Sequence, residues 1–211
     1  MSALLQKLHP SLRIGQRLTL ASSGAPVFSQ QGDWDAGSAL HCVAMALAMQ
    51  GKLSDPVDVR RYPTGPEAHF WDRAWPHYLH GRTLSELASF IWELNAGVRP
   101  VTERGGSAAV LHFCEQELAR GAPVIIGWQH RPSRQQRTAL VIGIEGLQHR
   151  RVFVPHALLL LDPAGVESGL AACNARLEFG KARAILHVTA MAKHRIAVEG
   201  AVSLRLLKDK P

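Results

Sequence analysis

The chain has 211 residues, 46% of them apolar and 19% charged, with three cysteines and a formal charge of +7. That composition supplies one core-forming domain and excludes a disordered tail, a collagen-like fibre and a disulfide-stapled miniprotein. No apolar run reaches the roughly 18 residues that a spanning helix needs, and Lys7, His9, Arg13 and Arg17 interrupt the N-terminus, so no signal-peptide core is read there.

Cys42, Cys114 and Cys173 form no CxxC pair. Their odd number points to a reducing compartment, and a cytoplasmic location is expected. The charge is uneven. Residues 1–119 carry ten basic and eleven acidic side chains, whereas residues 120–211 carry fourteen basic and six acidic. A basic second half suits a solvated surface, an acidic partner or a nucleic acid. The sequence carries no RNP-type aromatic signature, zinc finger or helix-turn-helix pattern.

In chain order, residues 1–29 read as an irregular N-terminal arm and residues 30–211 as one domain. Its helical part runs to about residue 121 and its sheet part from about 122. Ser38–Met49 (SALHCVAMALAM) is rich in helix formers, begins with a capping residue type and is followed by Gly51. It is apolar nearly all round, so it reads as a buried central helix. Residues 52–80 combine four prolines with Tyr62, Phe70, Trp71, Trp75 and Tyr78. They read as an irregular stretch that either walls a cleft or plugs the core. Thr83-Leu84-Ser85-Glu86 is a capping box opening a helix to about Asn95, and Ser107 opens another to Arg120.

From residue 122 the texture changes to strand. The runs 122–129, 137–145, 157–162, 183–190 and 195–206 are leucine-rich or β-branched, with a further short strand at 151–154. Helices first and strands later predict an α+β fold, with an antiparallel sheet packed on the central helix.

Gln30 and Gln31 precede a Gly/Asp turn and the buried helix; later a strand (ALVIGIEG) is followed by one that ends in Asp162-Pro163. This arrangement resembles the papain-like fold, in particular the bacterial peptidases that remove double-glycine leaders. In that group the pattern is a glutamine, an Asp-rich turn, Cys-Gly opening the helix, a His opening one strand and Asp-Pro or Asn-Pro ending the next. The resemblance covers residues 30–165. It implies that Gln31 helps hold an oxyanion, that the helix start bears the nucleophile, and that Asp162 orients the base.

Two registers are possible at the nucleophile: one places Ala36 there, the other Ser38. The second is preferred, because the helix then starts at the nucleophile. Where the pattern has its His, the chain has Arg137, and arginine is no general base near neutral pH. The set Gln31, Ser38, Arg137 and Asp162 is therefore a degenerate catalytic set, with an Arg137–Asp162 salt bridge as one expected replacement for the His–Asp pair. Cys42, one turn into the helix, reads as a core residue. His130, His156 and His187 are displaced candidates for a base.

The resulting expectation is an inactive peptidase-like adaptor, chaperone or assembly subunit that binds another protein or an extended, acidic peptide. Trp34, Trp71, Trp75, Trp128, Arg131 and Arg134 are the candidate binding residues. An active thiol or serine peptidase or acyltransferase with a displaced His is the alternative, and a nucleic-acid-associated subunit a further one. No cofactor is expected. The His77/His80 pair on a proline-broken segment is too weak a pattern for a metal site.

Overall fold

The structure is a computed structural model of the chain, and it describes residues 2–32, 35–130, 136–179 and 184–207, with the His130 side chain set aside. The strands are β1 (Ser2–Leu8), β2 (Leu12–Arg13), β3 (Thr19–Leu20), β4 (Val98–Glu103), β5 (Val124–His130), β6 (Gln136–His149), β7 (Val152–Leu161), β8 (Ala175–Phe179), β9 (Ile185–Thr189) and β10 (Lys193–Leu206). The helices are α1 (Ser38–Met49), α2 (Pro66–Ala74), α3 (Leu84–Glu93) and α4 (Ser107–Ala119).

All pairings of the main sheet are antiparallel, in the order β6-β5-β10-β9-β8-β7, and β7 returns to β6. Six strands thus form a closed barrel. β1 extends the edge of β6 beyond β5, and β4 extends the edge of β10 beyond β9. This corrects the expected papain-like architecture and the α+β class: the protein is mostly β, with a closed antiparallel barrel and four short helices rather than a central helix packed on a sheet. Closure depends on two 14-residue strands that bend at breaks in register, at Val141/Gly143 and Glu145/Gly146 in β6 and at Val198/Gly200 in β10. Bulges of this kind increase local twist and let each long strand serve several partners.

Two cores result. Val124, Ile126 and Trp128 of β5, Ala139 and Val141 of β6, Leu158 and Leu160 of β7, and residues of β8, β9 and β10 pack together with Val110, Cys114 and Leu118 of α4. The alternate residues Ile125, Leu140, Ile142, Leu159, Leu161, Val202 and Leu204 face the second core, built with α1, α2 and α3. Period-2 alternation normally places one face in water; here β5, β6 and β7 send alternate residues into both cores.

α1 occupies the predicted span, and every residue of it except His41 is buried. Gly37, not Ser38, stands at its N-cap, and no side chain caps it. Gly51 follows the C-cap with φ +68°, as a C′ glycine does. The Thr83–Glu86 capping box is present at α3. Residues 2–8, read as an irregular arm, form β1, and the proline-broken aromatic stretch contains α2, with Pro66 in its first turn. The two short strands expected at 151–154 and 157–162 are one strand, β7, running through Pro155. Among the described residues no helix is long and apolar enough to cross a membrane.

Candidate functional site

Residues 29–38, the approach to α1, are tied down at several points. The Gln31 N–H donates to the Pro163 carbonyl at 2.8 Å, and the Ala36 N–H to the Tyr78 carbonyl at 2.8 Å. Asp35 organises the turn. Its carboxylate accepts the Gly32 N–H at 2.9 Å, the Gly37 N–H at 2.8 Å and the His41 Nε2–H at 3.2 Å, and its carbonyl accepts from the Gln31 side chain. Burial pushes the Asp35 carboxyl up, but these hydrogen bonds and the nearby imidazole outweigh it and hold the group below its ordinary range. Gly37 cannot be larger: a Cβ there would stand 2.7 Å from the Tyr78 ring.

Gly32 and Asp35 line two clefts. The first, about 480 Å³, is lined by Gln31, Gly32, Asp35, Ala36, Ser38, Gly81, Gln136, Arg137 and Ala164. Three of the four residues expected from the sequence, Gln31, Ser38 and Arg137, meet there. The Ser38 hydroxyl is 3.0 Å from that of Thr138, and Ser38 is buried. Arg137 presents a buried Nε with no hydrogen-bond partner.

Asp162, the fourth residue, is buried next to this cleft but does not pair with Arg137. Its carboxylate lies 3.4 Å from Nε2 of His187, while its other oxygen accepts the Ala164 N–H at 3.0 Å. The expected Arg137–Asp162 bridge is therefore replaced by an Asp162–His187 pair. The two residues come from the end of β7 and from β9, the two strands that flank β8 in the barrel. His187 also lies against Trp128, with ring centroids 4.9 Å apart. Trp128 is fully buried in the barrel core and lines neither cleft. Cys42 is fully buried too; burial, then the Asp162 charge, raise its thiol pKa well above the ordinary value. It is a core thiol. His156 lies elsewhere, 3.1 Å from Glu145.

The second cleft, about 420 Å³, lies across the 29–38 segment. Trp71, Trp75 and Tyr78 wall it, with Val57, Val59, Arg60 and Leu79. Trp71 stands 5.4 Å from both Trp75 and Tyr78, centroid to centroid, and Trp75 is 58% exposed. Ser29, Asp35 and His41 also line it. The Ser29 hydroxyl is 2.8 Å from Nδ1 of His41, Asp35 holds Nε2 of the same ring, and the Tyr78 ring meets the imidazole edge-on at 5.4 Å. Sequence reasoning missed Ser29 and His41, because neither occupies a catalytic position of the peptidase pattern. The spacing Ser29, Asp35, His41 within thirteen residues was the only available signal.

Trp34, Arg131 and Arg134 lie outside the described residues. Among the described residues no group of three or more His, Cys, Asp and Glu side chains stands close enough to hold a metal ion.

No protein-family model matches this chain, and no curated protein matches it in sequence.

Proposed function

We propose that the protein binds an extended, acidic peptide segment along the two clefts that flank residues 29–38, and that the Ser38 cleft holds this segment without cutting it. The carrying observation is that Gln31, Ser38 and Arg137 converge on one cleft while the Ser38 hydroxyl is bonded to Thr138 and, among the described residues, to no imidazole. A serine without an adjacent base is a poor nucleophile. The same cleft suits a carboxylate. The start of α1 has no acidic residue in its first turn and no side-chain cap, and the Arg137 Nε is buried without a partner. Asp35 also lines this cleft, but its carboxylate already accepts from two backbone N–H groups and His41. On the far side of the segment, Trp71 and Trp75 offer aromatic faces to an apolar side chain of the same peptide.

An array of extended peptides of graded acidity, probed with the wild-type chain and with Arg137→Gln and Trp75→Ala, tests this. Acidic peptides that bind wild type should bind Arg137→Gln about tenfold or more weakly, the loss expected when a buried charge pair is broken. Equal binding by both chains, or retention of nucleic acid alone with a steep salt dependence, would reject the cleft as the binding site.

A further inference from the structure

We propose that Ser29, His41 and Asp35 form an acyl-transfer centre that hydrolyses a carboxylic ester bearing an aromatic or bulky apolar acyl group. The inference shares the Trp71 and Trp75 wall with the peptide-binding reading but does not rest on it, since neither Ser38 nor Arg137 takes part.

In the neutral ring, the hydrogen-bond chain sets which nitrogen carries the proton. Asp35, as a carboxylate, can only accept, so Nε2 of His41 carries the proton that it receives at 3.2 Å. Nδ1 is then the lone-pair nitrogen, and it accepts the Ser29 hydroxyl proton at 2.8 Å. This is the nucleophile, base and orienting-group order of a serine hydrolase, with the two ring nitrogens exchanged. The hydrogen bonds that keep Asp35 ionised also favour the imidazolium that forms on proton transfer. Ser29 is 4% exposed, yet it lines the 420 Å³ cleft, whose wall includes Trp71, Trp75 and Tyr78. That wall selects an aromatic or apolar acyl group.

In the acylation step Ser29 Oγ forms a bond to the ester carbonyl carbon and its proton passes to His41 Nδ1. The carbon–oxygen bond to the leaving alcohol breaks, and that alcohol departs with the proton from His41. Water then attacks the acyl-serine, giving one proton to His41, and Ser29 Oγ recovers a proton as the acid is released. Atoms and charge balance with water as the sole co-reactant. Arg60 and Asp58 also line the cleft, with the exposed Arg60 Nε 3.8 Å from the Asp58 carboxylate.

The test is labelling of the full chain by a fluorophosphonate carrying an aromatic group, read by intact mass and peptide mapping, beside hydrolysis of p-nitrophenyl benzoate. The expected result is a single adduct on Ser29, absent from Ser29→Ala. His41→Gln should lower the labelling rate by about a hundredfold or more, the usual worth of a general base. Ser29→Ala removes one oxygen only, and an unchanged circular dichroism spectrum and melting temperature establish that it folds. An unlabelled wild-type chain, an adduct that persists in Ser29→Ala, or Ser29 labelling indifferent to His41→Gln would each overturn the proposal.

Discussion

The Ser38 hydroxyl at the first turn of α1 and the Thr138 hydroxyl on β6 lie 3.0 Å apart, both residues buried, across the seam between the helix and the barrel. The pair locates the start of α1 on β6 and occupies the place where a catalytic serine would need an imidazole.

Because both partners are buried, removing one strands the other. Thr138→Val should cost about 1–2 kcal/mol, and Ser38→Ala a similar amount, by denaturant unfolding. The double variant should be less destabilised than the sum of the two, since neither hydroxyl is then left unpaired. Strict additivity would show that the hydroxyls do not interact in solution.

Glu117 on α4 is fully buried and accepts from Arg205 Nε at 2.7 Å, Arg205 Nη2 at 2.6 Å and Ser203 Oγ at 2.9 Å. Burial raises its pKa, but the bonds from Arg205, Ser203 and Arg120 prevail and set it below the usual carboxylate range. Glu117→Gln should cost about 3 kcal/mol, as breaking a buried ion pair does. The folded pKa is depressed, so this stabilisation is complete above the unfolded value of about 4.3 and is lost as pH falls through the lower folded value. Wild-type stability should therefore fall more steeply than that of Glu117→Gln as the pH drops below about 4.3.

The cysteines should differ sharply in reactivity. Cys42 and Cys114 are fully buried and their thiols are pushed well up by burial, whereas Cys173 is half-buried with a smaller upward shift. Iodoacetamide under native conditions should modify Cys173 slowly and spare the other two, with all three reacting in denaturant. Rapid native alkylation of Cys42 would refute its placement in the core.

Gly143 marks the point where β6 shifts register and β1 joins it. A Cβ there would lie 2.6 Å from the Lys7 carbonyl oxygen. Gly143→Ala should lower stability by about 2 kcal/mol, the scale of overpacking a close-packed position. Faster amide hydrogen exchange along β1 should accompany it.

Local signals were legible wherever neighbours in sequence decide the outcome. The apolar, Ala-rich run with Gly51 behind it marks α1, the Thr83–Glu86 capping box marks α3, and the late leucine-rich and β-branched runs mark β5, β6, β7, β9 and β10. Gln31, Ser38 and Arg137 share one cleft, but it is formed on a closed barrel and not on the papain-like fold through which the sequence singled them out. Tertiary structure alone decided the rest. Closure of the barrel requires β10 to pair with β5, some seventy residues earlier in the chain, a long-range pairing that period-2 alternation does not encode. The barrel brings His187 to Asp162 and seals Trp128 inside, although as isolated residues they suggested a spare histidine and a surface aromatic. In the same way Ser29 and His41 acquire chemical meaning only when the turn folds back on α1 through Asp35, because a hydrogen bond depends on distance and direction rather than on order in the chain.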